Sequence, residues 1–168
     1  FGVSLLLFGG TLHAGDDRAE AAALSKKASE AYGARDFKGA AEAFEASFHK
    51  VPRAAAIYNA ALAWVLADDK VRAANAFRVS LDKTDLHGSE ATNARTELAK
   101  LERELALLDV TSAPESRVTI APIQEQPPPI STYLAPGDHV LRVKFASGQI
   151  VTRNVHAVAG GKLVENVD

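Results

Sequence analysis

Residues 40–44 read Ala-Ala-Glu-Ala-Phe, and 33 positions later residues 73–77 read Ala-Ala-Asn-Ala-Phe. The register extends outward from this block: Ser47 falls on Ser80, Ala28 on Ala61 and Asp36 on Asp69. The surrounding stretch, from Asp16 to about Val110, is rich in Ala, Glu, Lys, Arg and Leu and contains one proline, Pro52, which is helix composition. Two antiparallel helices approach closely only where side chains are small, and larger residues must fill the gap to the next pair. The alanines meet the first need, and Phe44, Phe48, Phe77 and Leu81 meet the second, one turn apart on their helices. A self-similarity of this length predicts two stacked helix pairs.

With these residues in hand, residues 20–84 resemble the tetratricopeptide repeat. Ala28 and Ala61 match its small residue on the first helix, and Ala40 and Ala73 its small residue on the second. Phe44 and Phe77 match its aromatic, and Pro52 the proline that closes a repeat. The copies also depart from the pattern. Trp64 stands where the first copy has Ala31, Phe37 stands where the second has Lys70, and no proline closes the second copy. The resemblance implies a short concave surface that holds a protein or peptide, with polar first-helix positions such as Lys27 and Asn59 as its partner-binding residues.

A polar break at residues 82–88 leads to Ser89, read as an N-cap, with Glu90 in the first turn. Ala91, Ala94, Leu98, Leu101, Leu105 and Leu108 then alternate spacings of three and four, an a/d seam. Its first half reads as the helix that caps a repeat array. The leucine-rich half, Leu98 to Leu108, is open to a second reading as a weak homo-oligomer contact.

Near residue 109 the character changes. Prolines and glycines multiply, and β-branched residues alternate with polar ones. Strands are expected at residues 109–112, 117–121, 130–134, 139–145, 150–158 and 163–167, separated by Pro136-Gly137-Asp138, Ser147-Gly148 and Gly160-Gly161. In residues 140–145, Val140, Arg142 and Lys144 share one face while Leu141, Val143 and Phe145 share the other, so one face packs and the other is wet. The proline-rich residues 124–129 read as a stiff loop, with a polyproline ligand as the alternative. Residues 108–168 are similar to the PEGA domain, a small β module of bacterial surface and envelope proteins. The likeness rests on Pro114-Glu115 at its naming motif, Leu134-Ala135-Pro136-Gly137-Asp138-His139, Phe145-Ala146-Ser147-Gly148 and Val158-Ala159-Gly160. Ser116 and Arg117 replace the Gly and Ala of the motif, and residues 121–129 replace its usual Asp-Gly hairpin.

The expected organisation is therefore α+β. A signal-peptide-like or membrane-anchor-like segment covers residues 1–15, a tetratricopeptide-like helical domain 16–108, and a PEGA-like antiparallel β-sandwich 109–168. The first segment is read from its apolar run, broken at Gly9-Gly10 and followed by Ala14 and the acidic pair Asp16-Asp17. It implies an exported protein, periplasmic or associated with the cell envelope. With no methionine, even at position 1, the chain is expected to continue before Phe1.

Composition narrows the function classes. A formal charge of -2 offers no basic excess with which to neutralise many phosphates, so nucleic acid is set aside. The absence of cysteine removes thiolate catalysis, disulfides and cysteine metal sites. The five histidines form no metal-binding spacing, and no nucleophile elbow or phosphate-cradling glycine motif occurs. No catalytic, cofactor-binding or metal-binding residue is assigned. The expected function is a non-enzymatic envelope adaptor that binds protein partners through its repeats. The alternative is a cell-wall or carbohydrate-binding module on a helical stalk, weakened by Tyr133 being the one tyrosine, and the lack of tryptophan, in the β region. A third reading, a hydrolase, requires a deep pocket holding a histidine or carboxylate from both halves.

Overall fold

A computed structural model describes residues 10–168 as five helices followed by seven strands, an α+β arrangement. The helices are α1 (Gly10–Gly33), α2 (Phe37–Lys50), α3 (Ala54–Leu66), α4 (Lys70–Leu81) and α5 (Gly88–Leu101), each packed on the next. Residues 10–15 of the expected export or anchor segment lie in α1. The remainder of the export or anchor reading, residues 1–9, lies outside the described residues. Among the described residues no helix is long and apolar enough to cross a membrane.

The 33-residue period is built into the turns. Arg35 and Asp68, one period apart, both adopt left-handed backbone, with φ of 63° and 58°. Asp36 and Asp69 follow them and cap the next helix. Asp36 Oδ1 accepts the Gly39 N–H at 2.9 Å, and Asp69 Oδ1 accepts the Arg72 N–H at 3.0 Å, each satisfying a donor that the helix itself leaves free. Between the helices, Ala28, Ala40, Ala41, Ala60, Ala61, Ala73 and Ala74 are wholly buried, while Trp64 and Phe77 supply bulk. Trp64 is satisfied by donating its Nε1–H to Glu45 Oε1 at 2.7 Å, and the Arg72 guanidinium lies 4.6 Å from its ring centroid. The equivalent serines differ in use. Ser47 Oγ reaches across to donate to the Ala21 carbonyl of α1, whereas Ser80 Oγ donates to Phe77 O within its own helix.

Two expectations for α5 are corrected. The helix begins at Gly88 with His87 in the cap position and no side-chain cap bond, so Ser89 lies inside the first turn. The helix also ends at Leu101, and the seam to Leu108 does not exist as one helical stripe. Leu98, Leu101 and Leu105 are buried in the helical core, whereas Leu108 is buried in the core of the β part. Residues 105–110 also satisfy the two-residue period of a strand, with Ala106, Leu108 and Val110 inward. The strand prevails because it is hydrogen-bonded along both edges. Leu98, Leu101, Leu105 and Leu108 are thus all buried within the chain.

The strands are β1 (Ala106–Ser112), β2 (Arg117–Ile120), β3 (Ile123–Gln126), β4 (Ile130–Leu134), β5 (Gly137–Lys144), β6 (Ile150–Ala157) and β7 (Lys162–Val167). They form two sheets, β4-β1-β7 and β3-β2-β5-β6, which share one apolar core. The first strand thus begins at Ala106, three residues before the strand expected from residue 109. The pairing is not antiparallel throughout, because β1 and β7 run parallel. Nor is the proline-rich stretch all loop: β3 pairs with β2 across a register irregularity between Val118 and Ile120. Alternation could not reveal β3, since only Ile123 in it is apolar.

The two parts are joined by specific polar bonds. Asn75 Oδ1 on α4 accepts the Tyr133 N–H at 3.2 Å and the Thr132 hydroxyl at 3.3 Å. The Tyr133 hydroxyl donates to Glu102 Oε1 at 2.6 Å, and Arg78 Nη2 donates to the Ser131 carbonyl. Tyr133 belongs to β4 but is buried in the helical core.

Candidate partner-binding groove

Arg18, Ala21, Ala22, Ser25 and Ser29 recur every three or four residues and therefore lie along one face of α1. Ala55, Ala56 and Asn59 do the same on α3. The two faces border a groove of about 410 Å³ whose floor includes Phe44 and Ser47 of α2, with Val51 and Arg53 of the α2–α3 connection at one side. A second hollow of about 260 Å³, lined by Ser29, Tyr32, Phe44, Asn59 and Leu62, shares three of these residues and continues the groove. The groove is open because its walls are small: four alanines and two serines stand where longer side chains would close it.

The groove's polar character is one-sided. Arg18 and Arg53 are its charged lining residues, while Ser25, Ser29 and Asn59 offer hydrogen bonds. Ser25 Oγ is 2.8 Å from Ser47 Oγ, and the Ser29 hydroxyl donates to Ser25 O at 3.0 Å, so part of this capacity is already used. The lining contains no histidine, carboxylate or lysine. The surface can attract a carboxylate, hold a backbone by hydrogen bonds and cover small side chains.

Of the two residues expected to contact a partner, one lines this groove. Asn59 lines both hollows. Lys27 is exposed on α1 but sits two residues from both Ser25 and Ser29, about half a turn around the helix, and points away from the groove. Sequence reasoning missed Arg18, Arg53, Ser25 and Ser29. For the α1 residues the three-and-four spacing was a usable signal. For Arg53 there was none, since it follows Pro52 in a connection and gains its place only from the packing of α2 against α3.

A further cleft of about 470 Å³ opens between the helices and the β part. It draws Glu45 and His49 from α2 and Arg72 and Arg78 from α4, while the polar residues it takes from the β part are Gln126, Ser131 and Thr132. The histidine and the carboxylate thus come from one helix, not from both halves. The other well-placed histidine, His156, has Nδ1 2.7 Å from Asp138 Oδ1, but both side chains are largely exposed on the outer surface of the β part. Among the described residues no cluster of three or more His, Asp or Glu is arranged to hold a metal.

No protein-family model matches the chain, and no curated protein is significantly similar to it.

Proposed function

We propose that this protein is a non-enzymatic adaptor of the bacterial cell envelope that holds an extended segment of a partner protein in the groove between α1 and α3. In this reading the helices are a two-copy tetratricopeptide-like array, α5 is its cap, and the β part is a PEGA-like sandwich. The observation that carries it is the groove itself. It is bordered by first-helix faces one repeat apart, walled by alanine and serine, and charged by Arg18 and Arg53. These features favour a segment with small side chains and at least one carboxylate, bound mainly through its backbone. The repeat of the turns at Arg35-Asp36 and Asp68-Asp69 supports the array reading.

Selection of a displayed random-peptide library on the full chain tests the proposal. Recovered peptides should be enriched in Asp, Glu or a free C-terminus. Their binding should be lost in Ala22→Trp, which fills the groove, and weakened by Asn59→Ala, with thermal unfolding of the variants unchanged. Peptides that bind both variants as tightly as the parent would place the contact elsewhere and sink the reading.

A further inference from the structure

The outward face of the β3-β2-β5-β6 sheet gathers cationic and aliphatic side chains at one corner. Alternation sends Val118, Ile120, Leu141 and Val143 into the core and leaves Arg117 and Thr119 of β2 and Val140, Arg142 and Lys144 of β5 on the other side. The antiparallel register sets Arg117 directly opposite Lys144 and Thr119 opposite Arg142, with Ile150 of β6 across from Lys144. Three cations thus crowd one corner of the face. Among the described residues none of the three is in a salt bridge. The shallow hollow over them, about 500 Å³, has one carboxylate in its lining, Glu125.

This arrangement costs the fold something. Like charges directly opposite on neighbouring strands repel, and nothing in the packing of the sheet requires a cation at both Arg117 and Lys144, because neither side chain enters the core. An anionic partner would turn that repulsion into attraction. Two further features say which kind. Large aliphatic side chains share the face with the cations: Val140 is 55% exposed and Ile150 47%. No aromatic ring lines the hollow, so a sugar polymer finds no stacking platform, and a sheet face offers no walled channel to orient a peptide. Cations that reach phosphate groups beside aliphatic side chains that enter the glycerol level suit the interface of an anionic membrane.

We propose that this face, centred on Arg117, Arg142, Lys144 and Ile150, docks the β part onto a bilayer rich in anionic phospholipid. The site is separate from the groove between α1 and α3 and does not depend on the adaptor reading.

Flotation of the full chain with phosphatidylcholine vesicles, with and without phosphatidylglycerol, tests it. Binding should require phosphatidylglycerol and should fade as salt is raised to about 0.5 M, where screening is short-ranged. Each Lys or Arg near an anionic surface contributes on the order of fivefold in partitioning, so Arg142→Gln/Lys144→Gln should lower it by roughly twentyfold. Arg117→Gln on the neighbouring strand should act in the same direction, and Ile150→Ser should weaken binding without changing its salt dependence. Ala22→Trp in the groove should leave vesicle binding intact, which separates this proposal from the adaptor reading. Equal partitioning of the double variant and the parent would overturn the proposal. So would equal binding to both vesicle types, and so would absence of vesicle binding alongside charge-dependent retention on soluble polyglutamate, which would assign the face to an acidic polymer.

Discussion

Asn75 on α4 accepts the backbone N–H of Tyr133 on β4 at 3.2 Å, one of the polar bonds that tie the helices to the sheets, and it spans 58 residues of sequence. Its Nδ2 donates to Val71 O, one turn earlier in α4, and this bond holds the amide so that its oxygen faces β4. Asn75→Ala leaves the Tyr133 N–H and the buried Thr132 hydroxyl to find other partners. A loss of about 1–3 kcal/mol is expected, the cost of stranding a buried donor. Urea unfolding followed by Trp64 fluorescence, which reports the helices, and by far-ultraviolet signal, which reports both parts, should coincide in the parent and separate in the variant. Coincident transitions with unchanged midpoint would show that the bond does not couple the parts.

The Tyr133 hydroxyl gives a pH-dependent test of the same junction. Burial first, and then its hydrogen bond to Glu102, push the phenol above its ordinary value. The unfolded chain releases this proton near pH 10. The folded chain retains it to higher pH, so the contribution to stability is full below about pH 10 and is lost as pH rises through the folded value. Tyr133→Phe should cost about 1 kcal/mol at neutral pH, where it removes one hydrogen bond to an exposed carboxylate. The gap between variant and parent should close above about pH 10. A gap that stays constant from neutral pH to pH 11, or about there, would contradict the assignment.

Asp85 acts as a helix cap from a distance. α3 starts at Ala54 with Arg53 in the cap position and no side-chain cap of its own, and both Asp85 oxygens approach the Ala54 N–H, at 3.3 and 3.2 Å. Asp85→Ala should therefore destabilise the chain by about 1 kcal/mol, as an ordinary N-cap deletion does, and lower the midpoint of thermal unfolding. Adding back a local cap as Arg53→Ser in the Asp85→Ala background should recover part of the loss. No recovery, with no loss to begin with, would mean that solvent serves Ala54 as well as Asp85 does.

Gly39 and Arg72 occupy the same place in the two repeats, and the comparison decides the sign of a substitution. A Cβ at Gly39 would stand 2.2 Å from Asp36 Oδ2, which by itself predicts damage to the cap. Yet Asp69 caps the N–H of Arg72, a residue with a full side chain, at 3.0 Å. The Asp36 carboxylate therefore has a rotamer available that keeps the bond beside a Cβ. Gly39→Ala should stabilise the chain, by up to about 1 kcal/mol from helix propensity less the cost of that adjustment. A lowered melting temperature would show that Asp36 cannot turn as Asp69 does.

The sequence alone determined the elements whose signal is local. A 33-residue recurrence and runs of alanine produce the helix pairs, and alternation places the ends of β2, β4, β5, β6 and β7 within two residues of where they lie, because helix and strand periods are properties of successive dihedral angles. Asn59, expected as a polar first-helix position, lines the groove. Tertiary structure decided what depends on a partner distant in the chain. It ended α5 at Leu101, since the leucines beyond it satisfy a strand as well as a helix and β1 finds β4 and β7 to pair with. It made the β1–β7 pair parallel, recruited the weakly patterned residues 123–126 as β3, turned Lys27 away from the groove and brought Arg53 into it. Periodicity states which side of an element is apolar, but only packing states what that side meets.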